Sequence, residues 1–282
     1  MNKLAFIGGG SMAEAIISGI TAKGILNPLD IHVINKSDCD RLAFLQQEYG
    51  ITPVQQMNDL LAGTKTVILA VKPKDVITAL SAAKAFISND TLIISVAAGV
   101  SMDCIEKIIG RKTSIIRVMP NTSAAIGKSA TAMAINELVS EQQLSAVMNM
   151  FQTIGLVALV EEQQLDAVTG LSGSGPAYIY YLAEAMMTSA REIGLEDHTA
   201  KDLTIQTLIG AAEMLQSTSK SPQLLRKEVT SPGGTTEAGI KVLDQLGVHD
   251  AVISCIKEAS RQSKQLGENL SEQIHLESMR LK

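Results

Sequence analysis

Tryptophan is absent from this chain, and only four Phe and four Tyr stand among its 282 residues. That excludes a stacking platform for single-stranded bases and leaves the core to aliphatic side chains. No basic excess exists either: 24 Lys and Arg face 29 Asp and Glu, so no nucleic acid is expected as a partner. Cysteines are few. Cys39, Cys104 and Cys255 lie far apart with no Cys-x-x-Cys pair, which excludes a disulfide framework and a zinc ribbon and suits reduced thiols in the cytoplasm. His32, His198, His249 and His275 share no ligand spacing, and no metal is expected. Long hydrophobic runs are missing too. The apolar run Leu4 to Ile7 is too short for a signal-peptide core, and no charge-free stretch of about 18 apolar residues occurs. The most apolar long window, Ala167 to Met187, carries Glu184 and several Gly and Ser and reads as a buried helix of a soluble protein. No membrane contact is expected, and the protein reads as cytoplasmic.

What is present is a folded, aliphatic chain: 46% hydrophobic, 19% charged, net charge −5. Disorder is excluded by that balance. Over the first 160 residues, short β-rich runs (3–7, 30–34, 66–70, 91–95 and 114–118) alternate with helical segments (12–22, 39–49, 74–85 and 101–108). The runs are continuously apolar, as in strands covered on both faces, and strand–helix repetition implies a parallel, doubly wound sheet. From about residue 161, strand-like runs vanish and apolar residues recur at helical spacing, as in Leu203, Leu208, Ala211, Ala212 and Leu215. The expected architecture is an α/β Rossmann-type domain over 1–160 and an all-α domain over 161–282.

The first strand runs into Ile7-Gly8-Gly9-Gly10-Ser11-Met12-Ala13, a G-x-G-x-x-[G/A] match between a strand and a helix. Gly8 permits the tight turn, Gly10 lets a pyrophosphate approach the backbone, and Ala13 allows close helix–strand packing. The helix start at Ser11 offers free N–H groups to an anion. A dinucleotide is the expected ligand, against a glycine-rich turn with none. The second strand ends in Asn35-Lys36-Ser37, where an acid would hold the ribose 2′-OH of NAD. An amide, a cation and a hydroxyl favour the 2′-phosphate of NADP; the alternative is Lys36 as a solvated loop charge, with Asp38 and Asp40 close behind. After the third run come Ala70, Val71, Lys72 and Pro73, at the edge where open α/β sheets bind ligands. Lys72 fits a place near phosphate or nicotinamide, or a cap for a helix that Pro73 opens. Ala97-Ala98-Gly99 and Met119-Pro120-Asn121-Thr122 occupy equivalent places.

Other matches fail. Gly127-Lys128-Ser129 ends like a phosphate loop, but Thr122 stands where its first glycine belongs, and Gly170 to Ser174 lacks the last glycine of a nucleophile elbow. Two segments stand out among the helices. Thr169 to Pro176 is rich in Gly and Ser; Pro176 suits a first helical turn, and Ser172 or Ser174 a cap. Thr230 to Glu237 is a Gly-Gly turn leading into a helix over 238–246. Its N–H groups and two threonine hydroxyls make either a nest for a small carboxylate or an ordinary interhelical turn.

At this point the chain resembles the pyrroline-5-carboxylate reductase family. The matching segments are Phe6 to Gly10, Ala70 to Pro73, Ser95 to Gly99, Arg117 to Thr122, Asp166 to Tyr178 and Val229 to Thr236, spread over most of the chain. The last two are specific to that family. The resemblance implies reduction of 1-pyrroline-5-carboxylate to L-proline by a nicotinamide cofactor. It also implies helical C-terminal domains interlocked in a homodimer, with dimers assembled into larger rings. By the same resemblance, cofactor contacts fall on Ile7, Gly8, Gly9, Gly10, Ser11 and Met12, on Asn35, Lys36 and Ser37, and on Asn58. They continue through Ala70, Val71, Lys72, Pro73, Ala97, Ala98, Gly99 and Glu162. Substrate contacts fall on Ser231, Gly233, Gly234, Thr235 and Thr236, and Thr236 is the residue expected at the ring nitrogen. Glu228 departs from the family, whose other members carry Asn there.

A protonated cyclic imine is already electrophilic, so the lack of an obvious acid–base pair fits the implied reaction. The rival on this architecture is a 3-hydroxyacid dehydrogenase. Those enzymes carry a catalytic Lys four residues after a G-x-x-G-x-G turn, and here that place holds Ile179. The other alternative is a dinucleotide sensor without catalysis.

Overall fold

The computed structural model describes residues 3–36 and 38–280, with side chains to residue 274. Ser37 and the His275 side chain lie outside the described residues. The chain runs β1 (Leu4–Ile7), α1 (Ser11–Ala22), β2 (Ile31–Ile34), α2 (Cys39–Tyr49), β3 (Thr52–Pro53), α3 (Met57–Leu61), β4 (Thr66–Leu69) and α4 (Val76–Ala83). It continues through β5 (Leu92–Ser95), α5 (Met102–Ile109), β6 (Ser114–Met119), β7 (Ser129–Ile135), α6 (Glu141–Gln152) and β8 (Gly155–Leu159). The helical remainder is α7 (Leu165–Val168), α8 (Gly175–Glu192), α9 (Asp197–Ser217), α10 (Pro222–Glu228), α11 (Thr235–Gln245) and α12 (Val248–Arg280).

The eight strands form one sheet in the order β3-β2-β1-β4-β5-β6-β7-β8. Every residue of β1, β4 and β5 is buried, as two-sided cover demands. Successive side chains alternate between two cores. Leu4, Phe6, Ile68 and Ile94 pack with Ile16, Ile17 and Ile20 of α1 and Phe151 of α6. Ala5, Ile7, Val67, Leu69 and Ile93 pack with Val76 and Leu80 of α4 and Ile105 of α5. The sheet is doubly wound, but not wholly parallel. β7 runs antiparallel to β6, because the link between them is only a short 3₁₀ turn, Thr122–Ile126, with its flanks. A parallel return needs a crossover of a dozen residues or more, such as α6 provides between β7 and β8.

Two compact units emerge, and they divide the chain otherwise than the change of texture at 160/161. One holds Met1–Ser174 and Glu258–Lys282, the other Gly175–Lys257. The C-terminal segment joins the sheet unit because Leu270 and Ile274 of α12 are buried in the core beside α5. Ser172 does not cap the start of α8. Thr169–Gly173 continues α7 as a π-helical turn, with Ser174 N–H bonded to Thr169 O at 2.8 Å and the Ser172 hydroxyl to Val168 O at 3.2 Å. The second unit is helical throughout, with breaks near the expected turns. The expectation of a buried helix over 167–187 is not met within one chain, since α8 has no buried residue.

Candidate active site

Four strand ends bring four turns side by side along the carboxyl edge of the sheet. The strand order β2-β1-β4-β5 places Asn35 and Lys36, then the glycine turn, then Ala70 to Pro73, then Ala97 to Gly99 in one row. The ladder continues past the strands, with Gly8 N–H bonded to Ile34 O at 2.9 Å, Ala70 N–H to Ile7 O at 2.9 Å and Val96 N–H to Leu69 O at 3.1 Å. Strand order reverses between β1 and β4, which is where open α/β sheets take ligands.

At that point Gly8 has φ +104°, and a Cβ there would lie 2.5 Å from Ala70 O, so only glycine lets the two turns touch. Gly10 is different: a Cβ on it would meet nothing within 4 Å, which leaves its face open. Gly10 is also the N-cap of α1, and no side chain caps that helix. An open approach, bare helical N–H groups and the positive end of a helix dipole fit a pyrophosphate. Ser11 is exposed, Met12 half-buried and Ile7 buried beneath the turn.

An arginine that the sequence reading passed over secures this turn. Arg41 of α2 donates from Nε to Gly9 O at 2.8 Å, pairs through its guanidinium with Glu14 of α1, and lies over the Phe44 ring at 5.3 Å. Tyr49 completes the group by donating to Glu14 Oε1 at 3.0 Å; burial and the adjacent carboxylate raise its pKa. The only local signal for this role is an arginine in the first turn of the helix after β2.

Lys36 and Asn58 are exposed, Asn58 in the first turn of α3. Lys72 is exposed and caps nothing with its side chain, while Pro73 opens a 3₁₀ turn, so the helix-start reading suits Pro73 alone. Ala97 is buried; Ala98 and Gly99 are half-buried. Glu162 is already held: its Oε1 accepts from Arg117 Nη1 at 2.9 Å and from Met102 N–H at 2.8 Å. It therefore ties β6 to the start of α5, just beyond the Ala97–Gly99 turn. Asn121 is likewise structural, donating from Nδ2 to Ser172 O at 3.0 Å and accepting from Ser123 N–H at 3.1 Å.

The Ser231–Thr236 loop belongs to the other unit. Its helix begins earlier than expected, at Thr235, with Gly234 as an N-cap that no side chain assists. Two turn amides are satisfied internally: Gly233 N–H bonds to Glu237 Oε2 at 2.8 Å, and Gly234 N–H to Ser231 O at 3.0 Å. The anion-seeking groups are then the first-turn amides and hydroxyls of Thr235 and Thr236, both exposed. Glu228 is engaged elsewhere, its two carboxylate oxygens 2.7 and 2.9 Å from Lys220 Nζ. Among the described residues no cluster of His, Cys, Asp and Glu could hold a metal, and no helix is long and apolar enough to cross a membrane.

Comparison with known proteins agrees with this arrangement. Residues 162–266 match the family model described as pyrroline-5-carboxylate reductase dimerisation, and residues 3–99 the one described as NADP oxidoreductase, coenzyme F420-dependent. Pyrroline-5-carboxylate reductase 2 of Bacillus subtilis is 45% identical, covering 96% of this chain and 97% of its own. The solved pyrroline-5-carboxylate reductase of Coxiella burnetii is 38% identical with a TM-score of 0.86, over 94% of this chain and 98% of that one. The NADP-bound pyrroline carboxylate reductase of Plasmodium falciparum is 27% identical with the same TM-score and the same coverage. With near full-length identity at this level and a sheet edge built to receive a dinucleotide, the chain belongs to the pyrroline-5-carboxylate reductase family.

Proposed function

We propose that the chain reduces 1-pyrroline-5-carboxylate to L-proline, using NADPH in preference to NADH. The observation that carries the reading is the open Gly10 face at an uncapped helix start, at the switch point of the sheet, in a member of this family. The Gly8–Met12 turn would hold the pyrophosphate, Asn35, Lys36 and Ser37 the 2′-phosphate, with Asn58 nearby. Ala70 to Pro73 and Ala97 to Gly99 would flank the other half of the dinucleotide, and Glu162 would act by holding α5 in place. The bound reduced nicotinamide supplies a hydride to the imine carbon.

The protein's part is placement, because a protonated imine needs no strong acid to polarise it. The amides and hydroxyls of Thr235 and Thr236 bind the substrate carboxylate, and Thr236 is the residue proposed at the ring nitrogen. Ser231, Gly233 and Gly234 shape that loop. The helical unit makes a homodimer, and dimers assemble further into a ring. The free thiols Cys39, Cys104 and Cys255 suit the cytoplasm.

The test is NADPH oxidation with and without the cyclic imine, with proline measured as product. Imine-dependent oxidation matched by proline is expected. NADPH binding without turnover would leave a dinucleotide sensor instead.

A further inference from the structure

The Ala97–Gly99 turn is backed by the last helix of the chain at a distance that only glycine permits. Gly99 has φ +72°, and a Cβ on it would lie 3.3 Å from both Gly267 N and Ser263 O of α12. Conversely, a Cβ on Gly267 would lie 2.5 Å from Gly99 O, closer than real Cβ contacts. Two backbones therefore cross here with no side chain between them. Four residues earlier on the same helix, the buried Ser263 donates from Oγ to Asp166 Oδ1 at 2.7 Å. Leu270 and Ile274, further along, are buried in the core that includes Val100 and Ile105. Glu162 holds the other end of the same stretch through Met102 N–H. Asp166, Ser263 and Gly267 thus fix a turn whose own sequence, Ala-Ala-Gly, has no side chain with which to fix itself.

We propose that Gly267 and the Ser263–Asp166 pair are positioning residues for the Ala97–Gly99 turn, and so set the affinity for the nicotinamide half of the dinucleotide. This rests on the reading of that turn as a cofactor contact. The β5 turn lies on the far side of β1 from the β2 end, where the adenosine 2′-phosphate is expected. A displaced β5 turn should therefore weaken one half of the ligand and spare the other.

The experiment compares Gly267→Ala with the parent in binding to NADPH and to adenosine 2′,5′-bisphosphate. The added methyl drives Gly99 away from α12. A misplaced binding group of this kind should lower kcat/KM for NADPH about ten- to a hundredfold, chiefly through KM. Binding of the bisphosphate should stay unchanged. Ser263→Ala, which adds no atom and loses only the bond to Asp166, should shift NADPH in the same direction by a smaller factor. Asp166→Asn keeps the acceptor and should stay close to the parent. If both NADPH and the bisphosphate weaken equally in Gly267→Ala and in Ser263→Ala, the effect is general loosening and the proposal fails. It fails equally if neither variant changes NADPH binding. Ala98→Asp separates the two readings: if it leaves NADPH binding intact, the turn is no cofactor contact. If it weakens binding while Gly267→Ala and Ser263→Ala do not, only the positioning role is lost.

Discussion

Arg41 Nε donates to the carbonyl of Gly9 at 2.8 Å, so the fixed point of the glycine turn is a side chain from α2, the helix after the next strand. The same guanidinium pairs with Glu14, which lies on the helix that the turn opens. One residue thus holds both the turn and the first turn of α1. Arg41→Ala removes a charged hydrogen bond and leaves Glu14 with Tyr49 alone. Both partners of the ion pair are partly exposed, so the expected loss is about 1–2 kcal/mol, toward the low end for charged groups. Thermal melting should show it, together with a raised KM for NADPH and an unchanged KM for the imine. Arg41→Lys should not rescue, because a single ammonium cannot reproduce the planar fork. An unchanged NADPH KM would mean the turn keeps its shape without this anchor.

Lys36 stands exposed at the end of β2, where NAD-binding sheets carry an acid. Lys36→Ala should raise the KM for NADPH much more than that for NADH. The comparison of the two cofactors in steady-state assays decides the point. An equal rise for both, or none, would locate the 2′-phosphate elsewhere.

Gly175–Lys257 buries little of its own apolar surface within one chain. Its buried residues are Ala200 and Thr204, while Ile179, Tyr180, Tyr181 and Leu182 of α8 and Leu203, Ile205 and Ile209 of α9 are exposed. Large apolar side chains exposed together on neighbouring helices mark an interaction surface. The melting temperature should therefore rise with protein concentration, as for an obligate oligomer. Light scattering that found a folded, active monomer in dilute solution would sink the idea.

How much of this was legible in sequence follows from the range of the interactions. The glycine turn and the strand ends at Ala70 and Ala97 announce themselves locally, through glycine, proline and apolar runs. β7, Ser-Ala-Thr-Ala-Met-Ala-Ile, has little β-branched character and hides among helix formers, yet it pairs between β6 and β8. Its antiparallel course depends on the length of the preceding link. The return of Leu270 and Ile274 to the sheet unit carries no local mark either, since helical spacing says which face is apolar and not what covers it. Arg41 and Glu162 show the same limit within the site. Their partners, Gly9 and Glu14 for one and Arg117 and Met102 for the other, are distant in sequence.

His32 on β2 gives a pH dependence with a definite sign. Its pKa is lowered from 6.5, first by burial and then by Lys3, with Asp30 opposing, and its Nδ1 is buried with no hydrogen-bond partner among the described residues. The unfolded chain therefore binds a proton here at a pH where the folded chain does not. Stability is full above the unfolded pKa and falls as pH drops through 6.5 toward the lower folded value. Melting temperatures measured across that window should fall less steeply for His32→Gln than for the parent. Parallel slopes would assign the loss to other groups.

Thr236, exposed in the first turn of α11, is the residue on which substrate binding should depend most. The neighbouring amides of Gly233 and Gly234 are already bonded to Glu237 and Ser231, so the loop cannot replace a lost contact with them. A hydroxyl bonded to an ionised ligand contributes about 1.5–3 kcal/mol, so Thr236→Ala should lower kcat/KM for the imine roughly 10- to 150-fold. Cofactor affinity should barely move, because the glycine turn and its neighbours belong to the other unit. Steady-state kinetics with the imine and direct titration with NADPH measure the two effects separately. A variant that lost NADPH binding and kept its imine affinity would assign the loop to the cofactor instead. Glu237→Gln adds a second reading of the same loop. It keeps an acceptor for the Gly233 amide but removes a negative charge beside the proposed carboxylate site, so the KM for the imine should fall while kcat holds. A KM unmoved by that change would place the carboxylate away from the start of α11.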